Sequence, residues 1–79
     1  MATLLLFGPA RTAAGVPSVR IDAASLRELR HVACERFGPE FRAVLEVSAV
    51  WVNGEPVTGD PAIGERDEIA VLPPVSGGA

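Results

Sequence analysis

Two short apolar runs stand near the two ends of this chain, and they limit its fold more than anything between them. The first is Thr3-Leu4-Leu5-Leu6-Phe7 and the second is Glu68-Ile69-Ala70-Val71-Leu72. Each is long enough for a buried strand and too short for a helix. Gly8-Pro9 breaks the first run, while the second leads straight into Pro73-Pro74-Val75-Ser76-Gly77-Gly78-Ala79. Two prolines stiffen that exit, because each fixes φ and removes a backbone donor. Two glycines then leave the chain thin and free in φ. A small domain ending this way is expected to present its C-terminus as a working part, slim enough for another protein's narrow site. The chemistry would then happen on the terminal carboxylate. The plainer reading is a frayed end rich in small residues.

Between the two runs the pattern changes period. Pro9 to Gly15 reads as a loop and Val16 to Ile21 as a second strand, joined to the first as a hairpin with a long loop. Ser25-Leu26-Arg27-Glu28 is a capping box, in which the serine accepts from the Glu28 N–H and Glu28 reaches back to the serine N–H. Leu26, Leu29, Ala33 and Phe37 follow at helical spacing, and Gly38-Pro39 ends the helix. Glu40 to Leu45 predicts a short second helical turn with Phe41, Val44 and Leu45 inward. Ser48 to Val52 predicts a strand, Asn53-Gly54 a tight turn, and Glu55 to Val57 a short edge strand. Asp60 to Arg66, with Pro61 and Gly64, reads as a loop before the final strand. The order ββα followed by strands makes an α+β domain in which helix and sheet share one core.

At 79 residues the chain fits one domain. A chain this short buries only about 60% of the surface that it exposes when unfolded. It has no room for a large catalytic pocket beside its core, which favours a binding module, carrier or subunit over a self-sufficient enzyme. With 48% hydrophobic and 22% charged residues the composition is globular rather than disordered. A net charge of −3 argues against nucleic acid, whose phosphates need clustered cations. A basic protein surface or pocket suits it better. Every basic residue is an arginine, so no side-chain amine is available for isopeptide chains on this protein. Cys34 and His31 are each alone of their type. They cannot build an intrachain disulfide, a Cys-rich zinc site or a Cys-ligated iron–sulfur cluster. The N-terminus has no basic region followed by a long apolar one, and no apolar run spans a bilayer. A cytosolic protein without a membrane partner is the expectation.

Cys34 sits beside the apolar stripe of its helix and reads as a buried, inert thiol; a redox or sulfur-relay role has only Arg36 as a basic neighbour in sequence. His31 reads as a solvated helix residue, without a second ligand or nucleophile. Glu65, Asp67 and Glu68 read as a charged turn rather than a metal site. Alternation along Val50, Trp51 and Val52 puts the valines on one sheet face and Trp51 on the other. With the valines toward the helix, Trp51 lies on the open face as an anchor for a partner; its alternative is a satellite cluster with its own sheet neighbours. Arg11, in the predicted loop, is either structural or paired with an acidic partner.

The order of elements resembles the β-grasp, or ubiquitin-like, fold: a mixed sheet with one main helix packed on one face. In that arrangement the first and last strands lie side by side, parallel, in the middle of the sheet. Continuous apolar runs suit such central strands. The division is then a body over residues 1–72 and a protruding tail over 73–79. The chain also resembles the small, sulfur-carrying subunits of molybdopterin synthase, within the wider MoaD/ThiS family. Three segments carry the likeness: Leu4-Leu5-Leu6-Phe7-Gly8-Pro9-Ala10-Arg11 with Gly15, then Ser25-Leu26-Arg27-Glu28-Leu29, then Val52-Asn53-Gly54 with Asp67 to Gly78. The Pro-Pro-Val-Ser-Gly-Gly ending is its most specific element. Thiamine-pathway carriers usually have a tight Asn-Gly turn after the first strand, and the longer Gly8-Pro9-Ala10-Arg11 loop favours the molybdopterin branch. One departure stands out, because simple members end at the second glycine and this chain continues to Ala79.

The resemblance implies a mechanism. An E1-like adenylyltransferase uses ATP to activate the C-terminal glycine, and a sulfur nucleophile displaces AMP to leave a thiocarboxylate. The large subunit of molybdopterin synthase then receives the tail and takes the sulfur. Gly78 is the reacting residue, after a peptidase has removed Ala79, and Gly77 supplies slimness. Leu72, Pro73, Pro74, Val75 and Ser76 meet the partner, with Trp51 and Arg11. The carrier itself binds no cofactor or metal, and its partners supply the catalytic side chains. Other readings stay open: a carrier for thiamine, cysteine or secondary-metabolite synthesis, a ubiquitin-like modifier of protein lysines, or an interaction domain with an idle tail.

Overall fold

The computed structural model describes residues 1–73, which form a five-stranded sheet with three helices. The elements are β1 (Ala2–Leu6), α1 (Gly8–Ala14), β2 (Ser18–Ile21), α2 (Leu26–Phe37), α3 (Pro39–Val47), β3 (Ala49–Val52), β4 (Glu55–Pro56) and β5 (Glu68–Leu72). The strand order is β2-β1-β5-β3-β4. β1 and β5 are parallel, with Leu4 opposite Ile69 and Leu6 opposite Val71. The other pairings are antiparallel. The two apolar runs are therefore the central pair of a β-grasp sheet.

One face of the sheet holds the core. Leu4, Leu6, Ile21, Ile69 and Val71 pack there against Leu26, Leu29 and Ala33 of α2 and Phe41 and Leu45 of α3. Phe41 is fully buried, with its ring centroid 5.1 Å from that of Phe37 in a tilted pair. The short helical turn predicted over Glu40 to Leu45 is a longer helix, begun by Pro39 after Gly38 at φ 94°. Of its three predicted inward residues, Phe41 and Leu45 are buried and Val44 is half-buried.

The predicted loop over Pro9 to Gly15 is a helix, α1. Pro9 supplies a φ already suited to a first helical turn. Gly15, at φ 80°, closes the other end, its N–H donating to the Arg11 carbonyl at 2.9 Å. Ala10 is buried in the core, with Ala13 and Ala14 packed against it. An alanine-faced helix of seven residues leaves no hydrophobic period to read, which is why the sequence suggested a loop. β2 is also shorter than predicted, because Val16 is exposed and Pro17 enters the sheet only through its carbonyl, which accepts from Leu6 N–H.

The start of α2 is sealed from two directions. Glu28 N–H donates to Ser25 Oγ at 3.2 Å, as the capping box requires. The Glu28 carboxylate, however, accepts from Ala24 N–H at 2.8 Å, one residue earlier than predicted. The remaining free N–H groups of the first turn are met by the Asp60 to Ile63 loop. Leu26 N–H donates to the Pro61 carbonyl and Arg27 N–H to Asp60 Oδ1. Ile63 N–H returns a bond to the Ala24 carbonyl, and the Ile63 side chain is buried. Satisfying these donors removes the cost that an uncapped helix start carries.

Candidate functional site: the end of the central strand and the open sheet face

β5 lies between β1 and β3, so the chain leaves the sheet from its middle. The last pairs of β5 set Val71 opposite Leu6 and Val50, and Leu72 opposite Ala49. Phe7 N–H extends the parallel ladder by one bond to the Val71 carbonyl, at 3.2 Å. Leu72 is half-buried and Pro73 exposed. Pro74, Val75, Ser76, Gly77, Gly78 and Ala79 lie outside the described residues.

Pleating decides what the open face shows. Val50 and Val52 pack against the core, so Trp51 between them points to the opposite side. Trp51 is half-buried, with Ala70 of β5 opposite on one side and Pro56 of β4 on the other. Leu5 stands beyond Ala70 and Ser18 beyond Leu5. Ser18, Leu5, Ala70, Trp51 and Pro56 thus form one row across all five strands. Leu72 and Ala49 lie next to that row, toward the tail.

Two further apolar side chains mark the same end of the molecule. Phe7 is 44% exposed and Val47 is 63% exposed. Phe7 follows the last paired residue of β1, and Val47 precedes β3, whose first residue Ala49 pairs with Leu72. Sequence reading missed both. Phe7 ends the apolar run that predicts a buried strand, and Val47 closes a helix longer than predicted. No local signal marks Phe7, because the predicted run from Thr3 to Phe7 and the observed strand are equally long and only the pairing ends at Leu6.

Arg11 is exposed in the last turn of α1, on the helix-bearing side, so the structure separates it from Trp51. Cys34 is half-buried on α2, and burial raises its pKa against the opposing pull of Arg42 and Arg30. A raised pKa keeps the thiol protonated and unreactive at neutral pH. His31 is exposed, 3.7 Å from Glu35 one helical turn on. The acidic turn is structural. Asp67 accepts from Gly64 N–H at 2.7 Å and from Asn53 Nδ2 at 2.9 Å, and these bonds hold its carboxyl below the usual range. Among the described residues, no three His, Cys, Asp or Glu side chains are grouped to hold a metal ion, and no helix is long and apolar enough to cross a membrane.

Residues 4–78 match the ThiS family. The molybdopterin synthase sulfur carrier subunit of Dictyostelium discoideum is 35% identical, over 95% of this chain and 93% of that protein. Small archaeal modifier protein 1 of Haloferax volcanii superposes with a TM-score of 0.83 at 25% identity, covering 96% of this chain and 97% of that one. A complex of subunits 1 and 2 of the molybdopterin-converting factor from Helicobacter pylori contains a chain similar at a TM-score of 0.75 and 27% identity, with 96% of each covered. Sequence pattern and fold agree over nearly the whole length: the chain belongs to the ThiS family, in the group of the molybdopterin synthase sulfur carrier subunits.

Proposed function

We propose that this protein carries sulfur for molybdopterin synthesis on the carboxylate of Gly78. The observation that carries the reading is the family match, which runs from Leu4 to Gly78 and stops at the glycine given the reacting role. A carboxylate resists attack because its charge is delocalised and a nucleophile adds more. An E1-like adenylyltransferase joins it to the α-phosphorus of ATP and releases pyrophosphate. A sulfide-level sulfur then forms a C–S bond as the C–O bond to AMP breaks, and AMP leaves with the electron pair. The net change on the carrier is one oxygen replaced by sulfur. In this reading a peptidase first removes Ala79 to free the Gly78 carboxylate.

The large subunit of a molybdopterin synthase is the proposed acceptor, a reading supported by the two-subunit Helicobacter pylori complex. The open-face row centred on Trp51, with Leu72, Pro73 and the exposed Phe7, would meet it, and Arg11 would pair with an acidic group of a partner. Pro74, Val75, Ser76 and Gly77 would enter its site. The cytoplasm, where the activating ATP is available, is the proposed location.

A protein modifier is the second reading, favoured by the likeness to small archaeal modifier protein 1. One experiment separates the two. The protein is incubated with an E1-like activator, ATP and a sulfur donor, with and without cell extract, and its intact mass is recorded. Loss of alanine followed by one oxygen-to-sulfur exchange supports the carrier. High-mass adducts on lysines of other proteins support the modifier, and an unchanged mass counts against both.

A further inference from the structure

Where β1 and β5 part, Gly8 and Pro73 meet. The two strands run parallel to the Leu6–Val71 pair and share one more bond, from Phe7 N–H to the Val71 carbonyl. β1 then turns away through Gly8, at φ 54°, into α1. A Cβ on Gly8 would stand 3.4, 3.5 and 3.7 Å from Cγ, Cβ and Cδ of Pro73. Three ring carbons at nearly equal distance mean that the pyrrolidine ring lies across the bare side of the glycine. Proline has no N–H, so it cannot extend the ladder, and the contact is one of shape alone. The support behind Gly8 is firm, because Ala10 anchors α1 in the core and α1 packs against α3.

We propose that Gly8 is a positioning residue: it is the seat on which Pro73 rests, and the seat sets the direction in which the reactive tail leaves the body. The inference rests on the sulfur-carrier reading and adds to it a residue that acts through Pro73. The sequence showed Gly8-Pro9 only as the break after a strand. The tertiary structure gives that glycine a second partner 65 positions away in the chain. A side chain that branches at Cβ would push Cγ atoms into the ring and turn Pro73 aside. Aim in the free protein then falls, and the apparent affinity of any partner that takes the tail falls with the competent fraction. Chemistry at saturation is untouched.

The test uses the full chain with cell extract, an E1-like activator, ATP and a sulfur donor, reading the rate of sulfur uptake by intact mass against carrier concentration. Gly8→Val is expected to raise KM on the order of tenfold, with kcat unchanged. Gly59→Val is the control for backbone strain, since Gly59 has φ 79° with nothing within 4 Å of its Cβ position. It is expected to lower the melting temperature and leave KM alone. Pro73→Gly removes the ring from the seat and raises KM by itself, and adding Gly8→Val to it is expected to change nothing more. Multiplying effects in the double variant, or a Gly8→Val protein with wild-type KM, would overturn the seat while leaving the carrier reading intact. A wild-type chain that takes up no sulfur overturns both. Should Gly8→Val fail to fold, nuclear Overhauser contacts between the Gly8 α-protons and the Pro73 ring in the wild-type protein decide, and their absence sinks the proposal.

Discussion

Asn53 and Asp67, fourteen residues apart, are joined by a 2.9 Å hydrogen bond from Nδ2 to Oδ1. The bond is half of a clasp. Asn53 Oδ1 accepts from Glu68 N–H at 2.9 Å, and Asn53 N–H donates to the Glu68 carbonyl at 2.8 Å. The other Asp67 oxygen accepts from Gly64 N–H. The clasp ties the β3–β4 turn to the start of β5, the strand that leads to the tail.

Asp67 makes that clasp sensitive to acid. Its carboxyl pKa is lowered, first by the Gly64 N–H and then by the Asn53 amide. A group whose folded pKa is depressed contributes stability above its unfolded pKa, near 4, and loses it as pH falls through the folded value. Stability should therefore decline below about pH 4. Asp67→Ala should lower the melting temperature at neutral pH and flatten the decline, as thermal melts from pH 7 to 2 would show. An equal acid decline in the variant would contradict the assignment.

The cap of α2 offers a second check. Ser25→Ala removes the acceptor of Glu28 N–H and should cost about 1 kcal/mol. For a domain of this size that is a melting-point drop of roughly 4–8 °C. Asp60→Ala should act in the same direction, since Arg27 N–H loses its partner across the loop. Chemical denaturation of the two variants measures both losses.

Phe41 carries more of the stability than any cap. Its side chain is fully buried between α2 and the sheet. Phe41→Ala should cost about 3–5 kcal/mol, because the lost transfer energy is joined by a cavity. Such a loss approaches the whole stability of a small domain. Denaturation midpoints, with Phe41→Leu as the milder variant, would show the gradation.

The open face should behave differently. Trp51→Ala is expected to weaken binding to the large synthase subunit by about 2 kcal/mol, the loss of an aromatic anchor. Phe7→Ser should weaken it less and leave the fold intact, since Phe7 is 44% exposed. Calorimetric titration of each variant against the large subunit checks the order. Unchanged affinity for Trp51→Ala would place the partner on another face.

Much of this molecule was legible in its residues. The two apolar runs stand as parallel interior strands, the position that continuous apolar runs suit. Ser25, Glu28 and Gly38-Pro39 announced both ends of α2 through groups that act within a few residues of each other. Asn53-Gly54 marked its turn for the same local reason. Contacts between distant positions were not legible. α1 is a helix because Ala10 finds the core and Gly15 closes the last turn, a packing gain that an alanine-rich stretch does not advertise. The N–H groups of α2 are met by a loop more than thirty residues away, and Phe7, Leu72 and Val47 share one end only through strand register. The residue types in the chain determined which segments are strands and where α2 begins and ends. Only the tertiary structure decided that Gly8 lies beneath Pro73, because that contact depends on where two parallel strands part, and no local propensity encodes it.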